Sequence, residues 1–274
     1  MSLASLYQRG RKYLPFAIRR QVALWRLSEI NEFAVVYHSL GRRTGIMLDV
    51  GAAHGSCHQM YAGDGWTVHA FEPDPRTADE LSRRDAQQPS VHVECCAVSD
   101  MSSRRVPFYR SPVSPGLTSL TPFTTEHELA GYVATVTLAE FARERGITTV
   151  DFLKIDAEGF DLMVLKGNDW DLLRPDVIQC EFEDRKTVPL GYAFDDLARY
   201  LTDRGYSVLV SEWYPIEKYG EWPRWRKFQT YPCRLTDVHA CGNLIACKDG
   251  ELFSQLLQTA GQFAERYHRV MVSR

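Results

Sequence analysis

From residue 46 onward, short β-branched apolar runs alternate with stretches of helical periodicity, and this alternation constrains the fold more than any other feature. Strands are predicted at 46–50, 67–71, 91–95, 150–155, 177–182, 206–210 and 243–247, with helical patterns between most of them, such as 75–85 and 194–204. That order requires βαβ units around a mostly parallel sheet, and ligands in such sheets collect beyond the carboxyl ends of the strands. At 274 residues the chain can close one large α/β domain, because a fold of this size buries roughly 75% of its unfolded surface. With 45% hydrophobic and 24% charged residues, disorder is excluded as an overall description.

The first 44 residues read differently. Arg9, Arg11, Lys12, Arg19, Arg20, Arg26, Arg42 and Arg43 face only Glu29 and Glu32, while Leu14, Ile18, Val22, Trp25 and then Ile30, Phe33, Val36, Tyr37 recur at helical spacing. Residues 1–44 are expected to form a basic, amphipathic helical extension. It would pack as a lid on its own domain, contact an anionic membrane surface peripherally, or pair two copies in a homodimer. No apolar run is long enough to span a bilayer, and Arg19, Arg20 and Arg26 interrupt the N-terminal candidate for a leader. Seven cysteines without C-x-x-C spacing suggest neither a disulfide scaffold nor a zinc site, and fit a reducing, cytoplasmic setting. The net charge of -3 gives no reason to expect nucleic acid.

The first strand runs into a glycine-punctuated turn, Ile46-Met47-Leu48-Asp49-Val50-Gly51-Ala52-Ala53-His54-Gly55. Gly51 permits a sharp turn beside a ligand, and Gly55 is expected to open a helix whose free N–H groups point at it. Asp49 would repel a pyrophosphate and suit a cationic nucleoside. The second strand ends in Glu72-Pro73, 23 residues after Asp49, where an acid accepts ribose hydroxyls in nucleotide-binding sheets. After the third strand, Cys96-Ala97-Val98-Ser99-Asp100 would frame a planar base or form a simple turn. The fourth strand region, 150–161, carries Asp151, Lys154, Asp156, Glu158 and Asp161 around an apolar run. Buried charges are costly without partners or ligands, so this segment is expected to face a site.

The runs Leu48-Asp49-Val50-Gly51-Ala52, Phe71-Glu72-Pro73, Val136-Thr137-Leu138 and Phe152-Leu153-Lys154-Ile155-Asp156-Ala157-Glu158-Gly159-Phe160-Asp161, continuing to Leu165-Lys166-Gly167, resemble the FkbM-type methyltransferase family. The likeness covers about residues 45–250. It implies an α/β, Rossmann-like class I methyltransferase fold, with a seven-stranded, mostly parallel sheet and helices on both faces, followed by a C-terminal helix over 251–274. It also implies S-adenosylmethionine as donor and methyl transfer to an oxygen of a saccharide or a glycosylated or other secondary metabolite. Carried over by motif, Asp49, Gly51, Ala52 and Gly55 would line the methionine moiety, Glu72 with Pro73 the ribose, Ala97 the adenine, and Ser119 a nearby loop. This chain has Ala53-His54 where the family usually has Asn at position 53.

Transfer to a hydroxyl needs a base or a metal. Asp156 and Glu181, at the tips of adjacent strands with Glu158, Glu183 and Asp184 nearby, resemble the metal-binding acids of magnesium-dependent O-methyltransferases. They are expected to hold Mg²⁺ or to act as base, with Glu158 paired to Lys154 if it is structural. Lys186 would neutralise or deprotonate the acceptor, and His54 and His239 are further candidate bases. Residues 107–122 read as an irregular loop over the site. An insertion at 213–238, dense in aromatics and cations, is expected to contact a glycan or other small-molecule acceptor through Trp222 and Trp225, or to pack as a flap on the core. The Tyr214-to-Lys218 spacing matches short-chain dehydrogenases, but Pro215 argues against a helix there. Two other classes compete: an NAD(P)-dependent Rossmann dehydrogenase, disfavoured because the loop lacks G-x-G-x-x-G, and a non-catalytic glycan-binding module on the same fold.

Overall fold

The computed structural model of the chain describes residues 18, 29–42, 44–112, 117–218 and 224–272. The elements run α1 (Glu32–Leu40), β1 (Ile46–Val50), α2 (Gln59–Ala62), β2 (Thr67–Phe71), α3 (Pro75–Arg84), β3 (Val91–Glu94), β4 (Ala97–Val98), β5 (Ser103–Arg110), β6 (Glu128–Val136) and α4 (Leu138–Arg145). They continue as β7 (Phe152–Ile155), α5 (Asp161–Lys166), β8 (Val177–Glu183), α6 (Asp184–Thr187), α7 (Phe194–Thr202), β9 (Ser207–Trp213), β10 (Trp225–Thr230), β11 (Cys241–Cys247) and α8 (Gly250–Val272). Helix ends follow local chemistry. Asp74 caps α3 ahead of Pro75 at its first position, and Thr137 accepts the Glu140 N–H at the start of α4, which stops at Gly146 in the left-handed region.

The main sheet has the order β10-β9-β11-β8-β7-β1-β2-β3. The strands from β3 to β8 are parallel to their neighbours, and β11 runs antiparallel between β8 and β9. Among the described residues the sheet thus has eight strands rather than the seven expected: β10, from the 213–238 insertion, pairs antiparallel with β9 along the outer edge. A second, three-stranded sheet, β4-β6-β5, replaces part of the loop expected at 107–122. Pro107 concealed it. Proline is tolerated on an edge strand, and β5 is one, with register shifts on either side of Val106–Phe108 that blur its alternation.

Strand alternation divides the interior. Leu48, Val50, Leu153 and Ile155 pack on one face with Leu138, Phe141 and Leu197 from α4 and α7, whereas Met47 and Phe152 pack on the other with Tyr61, Val35 and Phe263. Helix α8 presents Leu256, Ala260, Phe263 and Tyr267 to that second face, a stripe at helical spacing. Helix α1, the second of the two N-terminal helices expected from sequence, buries Val35, Val36 and Tyr37 against it, so its apolar face is used within the chain. The first, apart from Ile18, lies outside the described residues, as do Tyr219 and Trp222. No helix among the described residues is long and apolar enough to cross a membrane.

Candidate functional site

The register of four parallel strands builds the site. Val50 pairs with Phe71 on one side and Ile155 on the other, and Ile155 pairs with Cys180. One residue further on, Glu72, Gly51 and Asp156 stand just past the carboxyl ends of β2, β1 and β7, and Glu181 continues the row from within β8. The juxtaposition of Asp156 and Glu181 expected from sequence is present.

The glycine turn is tied into this row. The N–H groups of Gly51 and Ala52 donate to the Phe71 carbonyl at 3.0 and 2.9 Å, and Asp156 N–H donates to Val50 O at 3.1 Å. Gly51 has φ +72°, and a Cβ there would overlap the Asp156 carbonyl oxygen, so only glycine fits. Ala53 has φ +44°, and its N–H donates to Glu72 Oε2 at 2.9 Å. The other Glu72 oxygen accepts the Asp74 N–H at 2.8 Å. Burial pushes the Glu72 carboxyl up to about 7 despite those two bonds.

Asp49 is not at the crevice surface. It alternates with Leu48 and Val50, which puts its side chain on the opposite face of β1, fully buried. There it meets Lys154 Nζ at 3.3 Å and accepts from His58 Nδ1 at 2.8 Å. Lys154 also donates to the carbonyls of Gly51, at 2.6 Å, and Val50, at 3.2 Å, bracing the turn from beneath. Gly55 does not open a helix: α2 begins only after His58. A Cβ at Gly55 would stand 2.5 Å from His58 Cε1 and would overlap Arg84, so its glycine gives clearance to that ring.

Beyond β8 the acids converge on one ammonium. Lys186 Nζ lies 2.7 Å from Glu158, 2.8 Å from Glu181 and 3.1 Å from Glu183, and its side chain is only 2% exposed. Glu158 therefore pairs with Lys186, not with Lys154 as expected. It reaches there from a left-handed backbone, φ +52°, followed by Gly159 at +95°, whose carbonyl accepts the Tyr192 hydroxyl at 2.7 Å. Burial raises the Glu158 and Glu181 carboxyls, more than Lys186 lowers them, and neighbouring carboxylates add to the rise. Asp161, also buried, is pushed up to about 7 by burial and by Glu181, while accepting the Glu181 N–H at 2.9 Å. The Lys186 ammonium is held well above its ordinary range by the three glutamates against the cost of burial.

This arrangement does not suit the expected magnesium ion. One Glu181 oxygen, Oε2, is held by the Lys186 ammonium, whose charge opposes a cation there, and Asp156 lies 3.6 Å from the Lys154 ammonium. Among the described residues no group of three or more His, Cys, Asp or Glu is placed to hold a metal. Asp184 accepts the Phe194 N–H at 2.7 Å ahead of α7, and Asp151 takes Arg42 and the Ile46 N–H at the far end of the sheet. Neither joins the row.

The remaining candidates are scattered. Pro73 is half-buried between Glu72 and the capping Asp74. Ala97 packs in the small core of the second sheet with Phe108, Leu120 and Val133. Ser119 donates to the Glu158 carbonyl at 3.2 Å and pairs with Tyr109, fastening its loop over the acid cluster. His54 and His239 are exposed, and the His239 N–H donates to Asp237. Tyr214 to Lys218 is non-helical, so the dehydrogenase-like spacing there has no matching structure. His58 lies beneath the turn, against Asp49 and Asp85, and no single-sequence pattern marks a histidine in that place.

The sequence model of the FkbM methyltransferase domain matches residues 49–208. The hexuronic acid methyltransferase AglP of Haloferax volcanii is 25% identical over 155 residues, 56% of this chain and 63% of that protein. The chain thus spans somewhat under two thirds of that relative's length. Among solved structures, precorrin-6y C5,15-methyltransferase from Geobacter metallireducens aligns at a TM-score of 0.43 with 14% identity, over 79% of this chain and 87% of that one. TrmK of M. capricolum, solved with S-adenosyl-homocysteine, aligns at 0.43 with 8% identity, over 78% and 67%. More than half of the chain lies within the domain match, and this protein belongs to the FkbM methyltransferase family.

Proposed function

We propose that the protein is an S-adenosylmethionine-dependent O-methyltransferase acting on a hydroxyl of a saccharide or of a glycosylated or other secondary metabolite. The observation that carries this reading is the row of Glu72, Gly51, Asp156 and Glu181 across four neighbouring parallel strands. Carboxyls outnumber ammonium groups along it, which favours a cationic nucleoside and opposes the pyrophosphate of a nicotinamide cofactor. Glu72 spends one lone pair of each oxygen on a backbone N–H and keeps others for ribose hydroxyls. The backbone of Gly51, Ala52 and Ala53 would hold the methionine moiety, and Asp156 would face the sulfonium.

S-adenosylmethionine supplies an electrophilic methyl group on sulfur. Glu181, its basicity raised by burial, takes the acceptor's hydroxyl proton as the oxygen–carbon bond forms and the sulfur–carbon bond breaks. Such general-base help contributes about 10² to 10⁴ in rate. Lys186 fixes the Glu181 carboxylate in place. No divalent cation enters this reading, because an ammonium already stands against each expected ligand.

The acceptor reading is supported by the ledge after β9. Tyr214 lies beneath Arg224 and Arg226, with guanidinium carbons 5.0 and 4.0 Å from its ring centre, and the Arg185 guanidinium approaches the Ile216 carbonyl beside it. Cations beside an aromatic ring suit a polyhydroxylated or anionic acceptor, and the Haloferax relative is named for a hexuronic acid. Seven free cysteines support a reducing, cytoplasmic setting.

The test is radiolabelled methyl transfer to a panel of neutral and acidic saccharides, followed by Glu181→Gln. That variant should lose roughly 10² to 10⁴ in kcat while keeping its affinity for S-adenosylhomocysteine. Unchanged turnover in the variant would remove Glu181 as base. Failure of every acceptor, with the donor bound normally, would favour a non-catalytic glycan-binding module.

A further inference from the structure

Beneath the glycine turn, His58 joins two buried carboxylates from opposite sides. Its Nδ1 lies 2.8 Å from Asp49 Oδ2 and its Nε2 lies 2.9 Å from Asp85 Oδ2, and the imidazole is sealed from solvent. A neutral imidazole has one N–H and can donate to only one of them; serving both requires the imidazolium. The groups facing the ring are few: Asp49 from β1, Asp85 at the end of α3, and Arg84, whose Nη2 stands 3.4 Å from Nε2 but is committed to Asp85 at 2.8 Å. Behind Asp49 stands Lys154 on β7, followed by Asp156, and beside His58 in sequence is the buried Cys57. A continuous chain of charge-assisted contacts therefore runs Asp85, His58, Asp49, Lys154, and ends on the carbonyls of Val50 and Gly51. The clearance at Gly55 lets the turn rest directly on the ring.

We propose that His58 is a positioning residue for the donor-binding turn: clamped as an imidazolium between Asp49 and Asp85, it fixes Asp49 and, through Lys154, the shape of residues 51–55, and loss of its proton loosens that turn. The inference rests on the reading of the crevice as the donor site. Geometry carries it, and the electrostatics agree: burial opposes the charge, and the two carboxylates outweigh burial and raise the imidazole above its ordinary range.

The experiment measures S-adenosylhomocysteine affinity by calorimetry from pH 6 to 9.5 for the full-length wild type, His58→Gln and Asp85→Asn, with ¹⁵N NMR of the histidine rings in the ligand-free protein. In the wild type, affinity should fall roughly tenfold on the alkaline side as His58 titrates, which is what one charge-assisted hydrogen bond carries. In Asp85→Asn the same fall should begin about one pH unit lower, because a neighbouring charge shifts a pKa by that order, and the NMR midpoint of His58 should move with it. His58→Gln should bind weakly with no alkaline fall. A purely structural role predicts lower thermal stability with unshifted profiles. Superimposable wild-type and Asp85→Asn profiles, or an NMR signature of neutral His58 at pH 6, overturn the clamp even if His58→Gln fails to fold. No binding of S-adenosylhomocysteine by the wild type overturns the donor reading, and with it this one.

Discussion

Asp49 and Lys154 are register partners on adjacent parallel strands, their charged groups 3.3 Å apart and sealed from solvent. Burial pushes the Asp49 carboxyl up, yet Lys154 and His58 together hold it below its ordinary range. Removing one member of a buried pair leaves an uncompensated charge and costs about 3–5 kcal/mol. Lys154→Met and Asp49→Asn are each expected to lose that much in urea unfolding, and the double variant to recover part of it. An Asp49 variant with an unchanged unfolding midpoint and weakened donor binding would instead place its carboxylate in the crevice.

Ala53 holds a left-handed backbone, φ +44°, in the turn whose N–H meets Glu72. A residue with a Cβ pays about 1–2 kcal/mol for that conformation, whereas glycine pays none and asparagine less. Ala53→Gly and Ala53→Asn are therefore expected to raise the thermal midpoint, by an amount corresponding to about 1 kcal/mol, without loss of the Glu72 contact. Ala53→Val should lower it. Equal midpoints across the series would show that the turn relaxes freely.

Trp225 is buried, with its Nε1–H donating to Ser211 Oγ at 3.1 Å and its ring 4.9 Å from that of Phe228 and 5.3 Å from that of Tyr267. Of the two roles expected for the insertion, acceptor contact and packing on the core, Trp225 takes the second: it staples β10 to α8. Truncating a buried tryptophan costs about 3–5 kcal/mol through transfer and cavity effects. Trp225→Ala should show that loss in denaturant unfolding at any acceptor concentration. A selective rise in acceptor KM at unchanged stability would restore a binding role.

What could be read from the sequence tracks where one periodicity dominates. The strands of the parallel sheet show in their β-branched runs, and Glu72 and Asp156 lie just past their ends because strand ends can be counted, whereas β8 runs on beyond Glu181 to Glu183. Side-chain direction was harder: Asp49 ends an apolar run, but only pairing with β7 shows that it shares a face with Lys154. The convergence of Glu158, Glu181 and Glu183 on Lys186 depends on a left-handed turn at Glu158 and a short helix after β8, neither of which has a sequence period. The second sheet escaped because Pro107 and two register shifts erase its alternation.

The single Lys186 ammonium stands within 3.1 Å of three glutamates, of which Glu158 and Glu183 are largely buried and Glu181 is partly open to water. Lys186→Met would leave like charges facing one another, a loss of about 3–5 kcal/mol when they are ionised. Protonation relieves that repulsion, and the Glu158 and Glu181 carboxyls are already raised by burial. The variant should therefore be far less stable than wild type at pH 8 and much closer to it at pH 5. Unfolding at both values checks this, and a deficit independent of pH would mean that Lys186 matters through packing alone.

Glu72 couples the pH dependence of stability to that of binding. Its carboxyl is raised by burial from 4.5 to about 7 in the folded protein. The folded state therefore takes up a proton between those values. The contribution is fully present below pH 4.5 and is lost as pH rises through about 7, up to about 3 kcal/mol in all. Donor binding should respond in the opposite sense, since the ionised carboxylate is the better acceptor for two ribose hydroxyls. Affinity for S-adenosylhomocysteine should rise between pH 6 and 7.5, ahead of the alkaline fall assigned to His58, and calorimetry in buffers of different ionisation enthalpy should detect a proton released on binding. Glu72→Gln should bind more weakly and lose the acid-side rise while keeping the alkaline fall. A wild type that takes up a proton on binding would place Glu72 outside the ribose contact.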